Sequence, residues 1–414
     1  MTGRGHHLLK ADQRFATGGG ILSLAAPAFK RVLDQLHRGL AKGGIVATLP
    51  EGSERRIGFH GDGPTAIVNL KSWMGLVRLA TSGSVGWYKA WAKGEWSSPD
   101  PVVLFELFTL NALALGGAAR AKGPSRWINA LAHRLRDNAP GQARENVAAH
   151  YDLGNDFYAA WLDPTMTYSA AWWGKDGELE DAQCSKMNRL LDRLDIKPGD
   201  RLLEIGCGWG SLAIQAARRG ASVVGLTLSS EQKEWADKAV AAAGFADRIE
   251  IRLADYREVD EQFDAVASVE MVEAVGMRWW GVYLDCIARN LKPGGRAALQ
   301  FIYIRPELFD RYARSADFIQ TYIFPGGMLL NEPQFRELAE ERGLKWRDRS
   351  PDFGMDYAQT LHRWRANYDL ACKQGRLTGF SEEFHGLWRY YLMYCEGGFR
   401  GGAIGVAQVT LVKG

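Results

Sequence analysis

From about residue 188 to residue 304 the apolar positions of the chain switch regularly between two spacings. MNRLLDRLDI, SLAIQAARRG, QKEWADKAVAAAG and WGVYLDCIARNLKPGG repeat at helical spacing. Between them RLLEIGCG, SVVGLTL, IEIRLADY, FDAVASVE and RAALQFIYI are short, almost continuous apolar runs, as strands covered on both faces are. Strands alternating with helices predict an α/β fold on a doubly wound, mostly parallel sheet.

Upstream the rhythm differs. GGIVATLPEG, RRIGFHG and AIVNLKSW, within residues 28–100, alternate between Gly, Pro and Asp turns and predict a smaller N-terminal α/β accessory domain. VVLFELFTLNALAL (102–115) is helical in spacing, and Glu106 within it points to an amphipathic surface helix instead of a membrane span. Residues 116–145, rich in Gly, Ala and Arg, read as a linker. Its stretch SRWINALAHRLRD suits a basic amphipathic helix on anionic lipid, with Trp127 at the interface and Arg126, Arg134 and Arg136 toward headgroups. A plain interdomain helix fits the same pattern. The expected division is an accessory domain over 1–118, a basic linker over 119–145 and a larger domain over 146–414.

At 414 residues the chain exceeds what one ordinary core organises, and 46% hydrophobic with 24% charged residues leaves no room for extensive disorder. Net charge is only +3, yet residues 1–145 carry 19 Lys/Arg against 10 Asp/Glu, and the remainder 32 against 38. A basic first third predicts an anionic partner, a phospholipid bilayer surface or nucleic acid; an ordinary solvated basic face is the plain alternative. Cys184, Cys207, Cys286, Cys372 and Cys395 are scattered, with neither a disulfide framework nor zinc-site spacing, so a reducing cytoplasm and no metal are expected. With no apolar run of about 18 residues and no export signal, the expected location is cytoplasmic, peripheral at the inner membrane surface.

Candidate chemistry begins at RLLEIGCGWGSLAIQAARRG, where a strand ends at Ile205, Gly206, Gly208 and Gly210 follow, and a helical pattern starts at Ser211. Glycines there let the backbone turn sharply and approach a ligand. Nicotinamide and flavin enzymes share that logic, but the next strand ends in Thr227 and Ser229, not in the acidic residue that holds a dinucleotide ribose. EIGCGWG resembles the first motif of class I methyltransferases, which implies S-adenosylmethionine as cofactor, S-adenosylhomocysteine (SAH) as its product, and Glu204 beside the loop.

The segments HYDLGNDFYAAWLDPTMTYS (150–169), GCGWGSLA, VVGLTLSSEQ, ADYRE, VEMVEAVG, NLKPGG, YIFPGGML, FGMDYAQTL and YYLMYCEGGFR occur in this order. Together they resemble the cyclopropane fatty-acid synthase family from about residue 145 onward, and GSVGWYKAWAKGEWSSPD is similar to the accessory lipid-associated domain of its bacterial members. The resemblance implies that Tyr168, Ser169, Gly206, Gly208, Gly210, Thr227, Gln232, Asp255 and Tyr256 line the cofactor pocket. It also implies that a cis double bond of a phospholipid acyl chain attacks the sulfonium methyl, leaving a carbocation. In the family a bicarbonate held by Cys, Glu, His, a backbone group of Ile and Tyr then removes a proton. Glu273, Ile302 and Tyr357 match that set. Ala170 stands where the family has Cys, and Gln300 where it has His, so neither supplies the family's ligand.

Bicarbonate binding is therefore doubtful, and Glu273, relayed through Tyr357, is expected to remove the proton itself. Loss of a chain proton would leave a methyl-branched alkene, whereas ring closure would give a cyclopropane. Cys395 matches a cysteine once considered nucleophilic; attack on a sulfonium methyl needs no covalent enzyme intermediate, and a pocket-wall role is expected. Small-molecule amine N-methylation, a catalytically inactive lipid-binding scaffold and nucleic-acid methylation are the rival readings. No nucleic-acid module is recognisable, so no nucleic-acid partner is expected, and homo-oligomerisation stays open.

Overall fold

The computed structural model describes residues 4–10, 26–116, 153–174 and 177–414, so the expected linker with its basic amphipathic stretch lies outside the described residues. The chain packs as two compact units. One comprises Met1–Arg136, Glu307–Pro325 and Gly379–Ile404, the other Asp137–Pro306, Gly326–Thr378 and Gly405–Gly414.

In the first unit β1 (Gly44–Thr48) pairs antiparallel with β2 (Glu54–Gly58) and parallel with β3 (Thr65–Leu70), and β4 (Trp96–Ser97) runs antiparallel to β3. Along β3, Ala66, Val68 and Leu70 are buried while Thr65 and Ile67 are exposed, the alternation of a sheet covered on one face. The helix Pro101–Leu110 starts where Asp100 caps the Val102 N–H and Pro101 fixes the first turn. It is not the amphipathic surface helix that Glu106 suggested: Val102, Leu104, Phe105 and Leu107 are buried. The reason lies in Glu382–Arg400, which packs against it so closely that a Cβ on Gly397 would meet the Val102 oxygen at 2.7 Å. A segment far along the chain thus supplies the wall that a single cut near 119–145 would assign elsewhere.

In the second unit seven strands form one sheet in the order β10-β11-β9-β8-β5-β6-β7. They are β5 (Arg201–Ile205), β6 (Ser222–Thr227), β7 (Ile249–Leu253), β8 (Phe263–Val269), β9 (Leu291–Ile304), β10 (Leu344–Arg347) and β11 (Ile404–Lys413). The pairs β5–β6, β6–β7, β5–β8 and β8–β9 are parallel, and β10–β11 is antiparallel. From β5 the chain winds outward through β6 to β7, then returns to lay β8 on the other flank of β5. The carboxyl ends of β5 and β8 therefore flank a topological switch point, where open α/β sheets bind ligands. Leu190, Leu194, Leu202, Leu212, Val223 and Val240 belong to a continuous core that fixes helices against one face of this sheet. Among the described residues, no helix is long and apolar enough to cross a membrane.

Candidate active site

The loop after β5 is anchored at its base and open at its tip. Gly206 and Cys207 donate their N–H groups to the Leu226 oxygen at the end of β6, at 3.1 and 2.8 Å. Gly206, Gly208 and Gly210 all have left-handed backbones, with φ of 82°, 53° and 89°. A Cβ on Gly206 would meet Met271 Cγ at 2.8 Å, whereas one on Gly208 would meet nothing within 4 Å. This open cradle at the start of the helix Ser211–Arg218 fits the methionine portion of S-adenosylmethionine.

Around it, Thr227 ends β6, and its hydroxyl donates to Gln232 Oε1 at 2.8 Å and accepts from the Ser229 N–H. Ser229 in turn caps the next helix through the Gln232 N–H. Asp255 follows β7 and grips Arg257 through both carboxylate oxygens, at 2.8 and 2.6 Å. Tyr256 packs edge-on against Tyr283 beside it. Tyr168 packs among Tyr158, Trp161 and Trp364 at 5.2 to 5.6 Å between ring centroids, and Trp209 of the glycine loop packs on Tyr158.

Beneath the loop lies an ionisable layer. Glu204 is 3% exposed and accepts from the Ala213 N–H; burial pushes its carboxyl up to about 8, against the lowering pull of Lys186. Lys186 is also fully enclosed and donates to Ser169 Oγ at 2.6 Å; loss of hydration lowers its ammonium to about 8 despite neighbouring carboxylates. Glu204 thus holds the first turn of the helix that follows the loop, and Lys186 holds Ser169.

Where β8 ends, Glu270 and Glu273 bring two carboxyl groups together. Glu270 takes a left-handed φ of 48°, uncommon for a residue with a side chain. Its Oε1 accepts from the Ala170 N–H and from Gln300 Nε2, each at 2.8 Å, and its carboxylate also accepts from the Tyr357 hydroxyl. Burial raises the Glu270 carboxyl, opposed by these three donors and by Lys186. Glu273 has fewer supports: Oε1 accepts from the Ile302 N–H, and among the described residues Oε2 has no hydrogen-bond partner. Burial first, and then the charge of Glu270, push Glu273 up to about 8.

The candidates Ala170, Gln300, Glu273, Ile302 and Tyr357 therefore lie around one small region, with Tyr357 bonded to Glu270, a residue the sequence reading passed over. Its signal was present in FDAVASVE and VEMVEAVG, an acidic residue directly at the end of a buried strand, three positions before Glu273. Lys186, Gln183, which donates to the Ser169 oxygen, and Gln408, which donates to Gln300 Oε1, carry no such signal. The residues do not fit a bound bicarbonate. Ala170, Gln300 and Tyr357 already donate to Glu270, and a further anion would face two carboxyl groups. Cys395 belongs to the first unit, on the helix Glu382–Arg400, where burial pushes its thiol up.

The family described as mycolic acid cyclopropane synthetase matches residues 139–409. The chain is 39% identical to the tuberculostearic acid methyltransferase of Mycobacterium tuberculosis over 81% of its own length and 80% of that protein. It is 32% identical to the cyclopropane-fatty-acyl-phospholipid synthase of Escherichia coli, over 87% of this chain and 91% of the relative. Among solved structures, a mycolic acid cyclopropane synthase complexed with SAH and CTAB aligns with a TM-score of 0.61 at 34% identity, covering 65% of this chain and 98% of the other. With the switch-point site and these matches in agreement, the chain belongs to the cyclopropane synthase family of S-adenosylmethionine-dependent methyltransferases.

Proposed function

We propose that the protein C-methylates the cis double bond of an unsaturated acyl chain in a membrane phospholipid, through a carbocation, and releases an open-chain, methyl-bearing alkene in preference to a cyclopropane. The observation that carries this reading is the carboxyl pair Glu270 and Glu273 beside the methyl-donor loop, in a site where Ala170 and Gln300 offer no cationic ligand for a diffusible base. The relative at 39% identity is by name a methyltransferase, not a cyclopropane synthase. The Escherichia coli relative acts by name on fatty acyl phospholipid, which supports the same substrate class here.

When bound, S-adenosylmethionine supplies a methyl already activated by its sulfonium. Gly206, Gly208 and Gly210 hold the methionine portion by backbone approach, and Thr227, Gln232, Asp255 and Tyr256 line the adenosine side. Tyr168, Ser169 and the neighbouring rings close the site to water, and aromatic faces tolerate the positive charge that forms on the acyl chain. Alignment of alkene and methyl is the main catalytic demand, because no protein nucleophile is required. Ile302 holds Glu273 in place, and the proton leaves to a carboxylate of the protein.

The test supplies methyl-deuterated S-adenosylmethionine and vesicles of a cis-monounsaturated phospholipid, then analyses the released acyl chains by mass spectrometry and proton NMR. An open-chain product is expected, and the count of retained deuterium identifies which carbon lost the proton. A purely cyclopropyl product, formed faster when bicarbonate is added, would reverse the reading.

A further inference from the structure

Glu270 is a side chain placed at some cost. Its left-handed backbone is strained for a non-glycine residue, by about 1 kcal/mol or more. What that conformation achieves is the convergence of an amide N–H, a carboxamide and a phenol on one carboxylate, from three separate stretches of the second unit. A carboxylate held by this many donors is the protein's own version of a bound anion. Desolvation is the strongest influence on it, yet part of its surface stays accessible, as for a group that lines an internal space. The next residue, Met271, is the one that a Cβ on Gly206 would meet, so the backbone that carries Glu270 borders the methyl-donor loop.

We propose that Glu270 is the general base of the reaction, an anion built into the chain where a diffusible base would otherwise bind. This rests on the alkene-methylation reading above. After methyl transfer one C–H bond next to the cationic carbon breaks. Its electron pair becomes the new C=C bond, the cation is neutralised, and the proton passes to a Glu270 carboxylate oxygen and then to solvent. Glu273 serves as the neutral partner. Two carboxylates so close cannot both stay ionised in a desolvated site, and the one with three donors and the nearby Lys186 charge keeps the negative charge. Tyr357 and Gln300 are positioning residues for that base.

The experiment uses the full chain, S-adenosylmethionine and phosphatidylglycerol vesicles with one cis-monounsaturated chain, in carbon-dioxide-depleted buffer with and without bicarbonate. Wild-type turnover is expected to change less than about twofold on adding bicarbonate. E270Q keeps the shape and the acceptor oxygen, and should lose about 100-fold or more in turnover with SAH binding retained, the size of a general-base contribution. E270G suits the left-handed backbone and opens space, so bicarbonate or formate should restore at least about tenfold of its activity. E270Q turnover near wild type, wild-type acceleration above fivefold by bicarbonate, or an E270G protein that binds SAH but is not rescued would each overturn the assignment. A wild-type protein that methylates no lipid would instead refute the functional reading beneath it.

Discussion

Gln300 Nε2 donates to Glu270 Oε1 at 2.8 Å while Gln300 Oε1 accepts from Gln408 Nε2 at 3.0 Å. The direction of this chain is set from its far end. Arg193 can only donate, and its Nε is 3.2 Å from Gln408 Oε1, so the amide nitrogen of Gln408 must face Gln300. That in turn leaves the Gln300 nitrogen for Glu270. Removing the donor with Q300L should raise the Glu270 carboxyl, so that a base needed in its ionised form becomes available only at higher pH. The acid limb of kcat against pH should move up by about one unit, worth about 1.4 kcal/mol. A limb that stays in place while kcat falls would assign Gln300 a packing role only.

Gly206 and Gly208 separate folding from binding. Both substitutions to alanine strain a left-handed backbone by about 1–2 kcal/mol. G206A also drives its methyl into Met271, while the methyl of G208A enters open space. Urea denaturation should therefore show the larger stability loss for G206A. Titration with SAH should show G208A weakened at least about tenfold, the effect of one lost close approach worth roughly 1.4 kcal/mol. Normal SAH affinity in G208A would mean that the cofactor does not lie against that face.

The parallel sheet and the glycine loop were legible because each is encoded locally. RLLEIGCGWG carries both strand and turn, and Thr227 and Asp255 sit at or just past strand ends that periodicity alone locates. Two things were not legible. The burial of Val102–Leu107 depends on Gly397 and Gly401, almost 300 residues away in sequence, which no local pattern reports. Glu270 looked like one more polar residue after a strand, and its role emerges only when Ala170, Gln300 and Tyr357 are seen to converge on it. Ala170 and Gln300 mark the altered positions in the sequence, but only the fold brings the Glu270 carboxylate onto both of them.

Cys395 offers a simple check on covalent chemistry. Its thiol is pushed up by burial and by the charge of Asp317, so the reactive thiolate is scarce near neutral pH. C395S should retain most of the turnover, and alkylation of the wild-type thiol by iodoacetamide should be slow. Abolished turnover in a C395S protein with wild-type stability and SAH affinity would contradict this.

Glu273 links the site to stability. Its carboxyl is raised from the ordinary 4.5 to about 8 in the folded protein, by burial and then by Glu270. Between those values the unfolded chain has given up the proton and the folded chain has kept it, so rising pH favours unfolding. The stabilising contribution is full below 4.5 and is lost as pH climbs through about 8, with a slope of at most about 1.4 kcal/mol per unit. Glu204 adds a slope of the same sign, and Lys186, lowered to about 8, adds one of opposite sign above that pH, so wild type alone is a mixture. E273Q removes a single contribution and keeps an oxygen to accept from Ile302. Urea denaturation at pH 5 and pH 8 should show E273Q gaining on wild type by at least about 1.4 kcal/mol across that interval. An unchanged difference would mean that Glu273 is ionised in the folded site, and the neutral role in proton removal would then pass to Glu270.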